Sequence, residues 1–146
     1  MKKFLFPLER LRSFRQTRLD QELGVLEGLH AEAQALDLRR LALALEERQA
    51  VERVRNLRIV PVQELAGLDG FRRWTVTELR KLHEEGKALA QRIEEQRQAV
   101  VAARKEVEAL TTLREQRLHA WRSEVDKEME ATVAELVVAR WGRDER

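Results

Sequence analysis

The residues of this chain that could do chemistry are few. Leu82-His83-Glu84-Glu85-Gly86-Lys87 begins like the helix of a zinc protease. Such a helix needs a second His four residues after the first, on the same face, and position 87 is Lys. His119, Ser123 and Asp126 fall at i, i+4 and i+7, so a helix stacks them on one face. They match a Ser/His/Asp set in composition only, because neighbours on an exposed helix have no oxyanion hole and no pocket. His30 reads as a residue at the edge of an apolar stripe. No GxxxxGK[ST] loop is present to cradle phosphates, and the absence of Cys removes thiolate ligands, thiol nucleophiles and disulfides. The expectation is a protein that is not an enzyme and holds no cofactor or metal.

The elements that would position these residues are long helices. Charged residues make up 37% of the 146, against roughly 25% in an ordinary globular domain. Aromatics are 5% and Pro occurs twice, while the apolar share of 43% is too high for a disordered chain. Positions 19, 22, 26, 29, 33, 36, 40, 43, 47, 50, 54 and 57 alternate steps of three and four. They read Leu, Glu, Leu, Leu, Ala, Leu, Arg, Leu, Glu, Ala, Val, Leu. Positions 79, 82, 86, 89, 93, 96, 100, 103, 107 and 110 repeat the pattern. After a slip it resumes at Leu118, Trp121, Val125, Met129, Thr132 and Leu136. Two such seams indicate coiled-coil helices, and the slip indicates a stutter.

A short connection between the seams allows only an antiparallel pair. The expected fold is all-α, a single coiled-coil hairpin over residues 1–146. Helix 1 would run over about 5–58, a turn over about 59–70 and helix 2 over about 71–141. Thr75-Val76-Thr77-Glu78 fits a capping box, with Asp69-Gly70 as an earlier start. This register sets Leu57 near Leu79 and Leu19 near 117–121, with the two termini at one end. Gly24 and Gly28 have the spacing of a close helix contact, but the simpler reading is a thin place in helix 1. A two-helix coil buries little per residue, so it is expected to lean on a partner.

Charge and aromatics point to the ends. Lys2, Lys3, Arg10, Arg12, Arg15 and Arg18 face one acid, Glu9, in the first 18 residues, although the whole chain carries only +2. The apolar run Phe4–Leu8 contains Pro7 and is shorter than the roughly 7–15 apolar residues of a secretion signal. No run approaches the roughly 18 apolar residues of a membrane span. A basic start without a helix-turn-helix, zinc or RNA-binding motif does not make a nucleic-acid binder. Phe4, Phe6 and Phe14, with Trp121 and Trp141, fall toward one end of the hairpin, and Phe71 and Trp74 toward the turn. Aromatics so placed suit packing caps or partner anchors.

The opening Phe4-Leu5-Phe6-Pro7-Leu8-Glu9-Arg10-Leu11, with Arg15, resembles the start of the FliJ family of bacterial flagellar export proteins. Lys105-Glu106-Val107-Glu108-Ala109-Leu110, followed by Leu113-Arg114-Glu115, Arg117 and Trp121, is similar to a later segment of that family. Near the C-terminus Glu135 keeps the family's acid, but Val133-Ala134 stands where the family has Leu-Asp. The resemblance implies a cytoplasmic stalk, peripherally attached at the inner membrane. Its implied partners are the hexameric flagellar export ATPase, the export-gate membrane protein and the export chaperones. It implies Phe4, Phe6, Leu8, Arg10, Arg15, Trp121 and Arg140 as contacts at the ATPase ring, and Phe71 and Trp74 on the gate side. A stalk of a virulence-type secretion system and a generic coiled-coil adaptor remain alternatives.

Overall fold

A computed structural model describes residues 2–144. The fold is all-α: α1 spans Glu9–Arg55 and α2 spans Val62–Asp144, and they pack antiparallel. Pro7 and Leu8 form the turn into α1, where the Glu9 N–H donates to the Phe6 carbonyl at 3.1 Å. Glu9 in the first turn, and Arg53 and Arg55 in the last, complement the helix dipole. α1 ends at Arg55, and a few residues on Val60, the residue before Pro61, is kept out of the helical region, so the chain cannot run straight into α2. α2 then starts on the Pro61 carbonyl, which accepts the N–H groups of Glu64 (3.1 Å) and Leu65 (3.3 Å).

The turn is therefore residues 56–61, not 59–70, and α2 begins at Val62 rather than near 71. Gly67 and Gly70, which suggest a turn in the sequence, sit inside α2 with ordinary helical φ. Each weakens the helix by about 1 kcal/mol relative to Ala. Packing offsets this, since Leu68 and Phe71 are half-buried and Thr75 is fully buried. Thr75 is not a cap. Its Oγ1 donates to the Phe71 carbonyl at 2.9 Å, one turn back within the helix.

The shorter turn moves the register. The chain forms two compact units, one of Asp20–Val101 and one joining the chain through Leu19 to the stretch from Ala102 onward. In the first unit Glu22 meets Gln96, Glu32 meets Arg92, Arg40 meets Leu82 and Glu47 meets Arg72. In the second, Arg15 meets Glu106, Glu9 meets Arg114 and Phe4 meets Trp121. Leu19, one turn on from Arg15, thus lies opposite residues near 103 and not 117–121. The expected meeting of the two termini also fails. Phe4 is level with Trp121, and α2 continues to Asp144, about 34 Å further along its axis.

The apolar stripes supply the packing. Positions 19 to 54 of the α1 stripe are all buried or half-buried, and Leu57 alone is exposed. All ten positions from 79 to 110 of α2 are likewise covered. Leu43 has no exposed surface. Gly24 and Gly28 have nothing within 4 Å of where a Cβ would stand, so no helix approaches closely there. Among the described residues, no helix is long and apolar enough to cross a membrane.

Candidate partner-binding surfaces

The first surface gathers around the N-terminal segment. The Phe4 ring lies 5.9 Å from Trp121 in a tilted arrangement, and the Arg114 guanidinium is 5.8 Å from the centre of the Phe4 ring. Such cation–aromatic and aromatic contacts are each worth about 0.5–1.5 kcal/mol. Phe6 is buried and Leu8 is half-buried, which anchors the segment before α1. Arg12 Nη2 donates to Glu9 Oε1 at 3.0 Å. Arg114 Nε, shielded from water, sits 3.5 Å from Glu9 Oε2 as an ion pair without a hydrogen bond. The Arg12 hydrogen bond, aided by the charges of Arg12 and Arg114, holds the Glu9 carboxyl below its usual pKa, and partial desolvation opposes it.

These contacts sort the sequence-predicted ring-end residues. Phe4 and Trp121 come together, and Phe6 and Leu8 belong to the same anchored segment. Arg15 is engaged with Glu106 at 3.0 Å. Arg10 faces solvent. Arg140 is not part of this cluster: it is exposed on α2, about 29 Å along the helix from Trp121. Arg114 and Glu106 are the members that the sequence did not reveal as site residues. A signal existed, since both lie in the Lys105–Arg117 segment.

Beside the cluster runs a groove of about 580 Å³, lined by Lys2, Trp121, Val125, Met129 and Val133, with Glu124, Glu128 and Thr132. Along and past it, α2 is exposed. Every residue from 126 to 143 is exposed, including Leu136 (65%), Val138 (72%) and Trp141 (71%). The sequence 131–139 reads Ala-Thr-Val-Ala-Glu-Leu-Val-Val-Ala. At about 100° per residue, Val138 stands about 140° round the axis from Val133. One flanking helix cannot cover both.

The second surface, expected at the turn, lies instead on α2, about 14–18 Å along the helix from its start at Val62. Phe71 and Trp74 have ring centres 5.9 Å apart, with Phe71 half-buried and Trp74 45% exposed. Arg72 Nε donates to Glu47 Oε1 at 3.1 Å, tying this stretch of α2 to α1. Ile59 and Val60 of the turn and Val62, the first residue of α2, are exposed.

The middle of the hairpin carries polar layers. Arg40 occupies a seam position, and its Nη2 donates to the Leu82 carbonyl at 2.9 Å. Its guanidinium lies over Gly86, where a Cβ would stand 2.5 Å from Nη2. Gly86 therefore makes room for a charged side chain in an apolar seam. Gln96 donates to both the backbone carbonyl and the carboxylate of Glu22. His30, His83 and His119 are exposed, and among the described residues no three His, Asp or Glu side chains converge on a point where a metal could sit. Ser123 is half-buried between exposed His119 and Asp126 on one helix. The geometry supports binding by side chains along helices. No family model, curated protein sequence or solved structure matches the chain.

Proposed function

We propose that this chain is a stalk of the bacterial flagellar export apparatus. It would insert its terminal helical stretch into the hexameric export ATPase and reach the export gate with its turn side. In this reading it also helps to cycle export chaperones and performs no catalysis of its own. The observation that carries the reading is the end of α2. Residues 131–141 are all exposed, and they are apolar on nearly all sides. A helix apolar all round is stable only when it is enclosed. A side-by-side coil covers one face, whereas the bore of a protein ring surrounds the helix. The anchored Phe4–Trp121 cluster at the base of that stretch would set how far it enters. The resemblance of the opening Phe4–Leu8 segment to the FliJ family points to the flagellar export ATPase as that ring.

The test is turnover of the export ATPase from the same organism with and without the chain. Substoichiometric chain should raise ATP hydrolysis. Val133→Ser with Leu136→Ser and Val137→Ser should remove the stimulation while the helix content is unchanged. An unchanged turnover with the intact chain would overturn the proposal.

A further inference from the structure

The turn between α1 and α2 has a composition that turn mechanics do not require. Ending α1 and starting α2 calls for a helix stop, and turns are ordinarily built from Gly, Asn, Asp and Ser. Here residues 53–62 read Arg-Val-Arg-Asn-Leu-Arg-Ile-Val-Pro-Val, with three arginines and no acid. Ile59 is 84% exposed and Val62 81%. Leu57 and Val60 are also exposed, and Leu65 follows on the first turns of α2. Arg53 Nε bonds the Gln49 carbonyl at the end of α1. Among the described residues, Arg55 and Arg58 have no carboxylate partner, unlike Arg72 and Arg73 nearby, which pair with Glu47 and Asp69.

We infer that this turn is a lipid-contacting tip, which dips Ile59, Val60 and Val62 into the interface of an anionic bilayer while Arg53, Arg55 and Arg58 take the phosphates. The order of chemistry along the chain fits the depth profile of a membrane surface: aliphatic side chains in the turn, guanidinium groups in and just behind it. Arginine stems lie well along such a boundary because their apolar length and charged head separate. Exposed aliphatic side chains beside guanidinium groups that have no carboxylate partner among the described residues make this tip complementary to an anionic, partly apolar surface. The groove beside it is lined by Ala50, Arg53, Val54, Glu64, Gly67, Leu68 and Phe71 and leaves out Ile59, Val60 and Val62. A bilayer needs no such pocket. The inference does not rest on the stalk reading, because it uses only the chemistry of the turn.

The experiment uses the full chain and vesicles of phosphatidylcholine with or without about a third phosphatidylglycerol. The chain should sediment with the anionic vesicles, and Arg55→Gln with Arg58→Gln should weaken partitioning about 25-fold at low salt, near fivefold per arginine. The absence of native Cys allows a single Ile59→Cys variant to carry an environment-sensitive dye. Its emission should shift to the blue on anionic vesicles, while a Leu45→Cys control on exposed α1 surface should not shift. The Arg55/Arg58 variant should still stimulate the export ATPase if the stalk reading holds, so the two ideas fail separately. Equal binding to neutral vesicles, or no binding to either, would overturn the inference, the latter leaving the tip to a protein surface. Binding without a shift at Ile59, or with a shift at Leu136→Cys instead, would place the contact elsewhere and overturn it too.

Discussion

The same three-four stripe of apolar residues meets two fates along α2. Within the Asp20–Val101 unit, Leu82, Leu89, Ile93 and Val100 lie under α1, and across from them Leu43 is sealed completely. In the other unit, Met129, Thr132 and Leu136 continue the period past Trp121 and are exposed. Periodicity therefore tells which face a helix offers, and length of the neighbouring helix decides whether the offer is taken inside the chain. In the covered stretch, apolar residues act on stability. In the bare stretch, they are available for association.

The sharpest way to break that comparison is a matched pair of truncations. Leu43→Ala removes a side chain with no exposed surface, so it should cost about 2–5 kcal/mol in urea unfolding. Leu136→Ala should change stability by less than about 0.5 kcal/mol, because its side chain is already in water. If the stalk proposal holds, its effect should appear in ATPase stimulation instead. Equal costs at both sites would mean that the tail is covered in the free protein.

A second test concerns the polar layer in the covered stretch. Gly86→Ala gains helix propensity of about 1 kcal/mol but drives a methyl against the Arg40 guanidinium, which must leave the Leu82 carbonyl. Alone, the substitution should be close to neutral. In an Arg40→Ala background only the Leu36 Cδ2 contact at 3.3 Å is left, and Gly86→Ala should stabilise by up to about 1 kcal/mol. A coupling of about 1–2 kcal/mol in the double-mutant cycle would mark Arg40 and Gly86 as one unit, and simple additivity would separate them.

How much of this was legible follows from what each residue type signals. Leucines at three-four spacing announce both helices and the covered faces from Leu19 to Val54 and from Leu79 to Leu110. The early part of the α2 stripe was hidden because it reads Leu68, Phe71, Thr75, Glu78. Thr75 and Glu78 imitate a capping box there, and Gly67 and Gly70 imitate a turn. Only the tertiary cover over Thr75 tells a buried threonine from a cap. The register was lost for the same reason, since every residue wrongly assigned to the turn slides one helix along the other. The site fared similarly. Phe4 and Trp121 were expected at one end and do meet, whereas Arg140, placed with them by the family resemblance, stands about 29 Å along α2 from Trp121.

The anchored N-terminal segment offers a third contrast with the bare tail. Phe4→Ala removes a ring that touches Trp121 and the Arg114 guanidinium, and should cost about 1–2 kcal/mol. Trp141→Ala on the exposed tail should be silent in the same unfolding experiment. Intrinsic fluorescence can follow Trp121 directly once Trp74 and Trp141 are replaced by Phe. The Trp121 emission should shift to the red in the Phe4→Ala background, because the indole loses its cover.

The smallest expected effect comes from Glu9, whose carboxyl is held below its usual pKa chiefly by the Arg12 hydrogen bond. Its folded pKa is lower than its unfolded one, so the native state binds its proton less readily than the unfolded chain does. The stabilisation is therefore complete above the unfolded pKa, near 4.3 for glutamate, and is lost as pH falls through the folded value. The side chain is 45% exposed, and solvent screening keeps the contribution small. Against Glu9→Gln, the wild-type advantage in melting temperature should be constant from neutral pH down to about 5 and should shrink below that. Added salt should reduce the advantage at neutral pH, since Arg12 and Arg114 both act across partly hydrated surface. An advantage that grew on acidification would reverse the sign of the linkage, and would mean that Glu9 does not carry its charge into the pairing with Arg12 and Arg114.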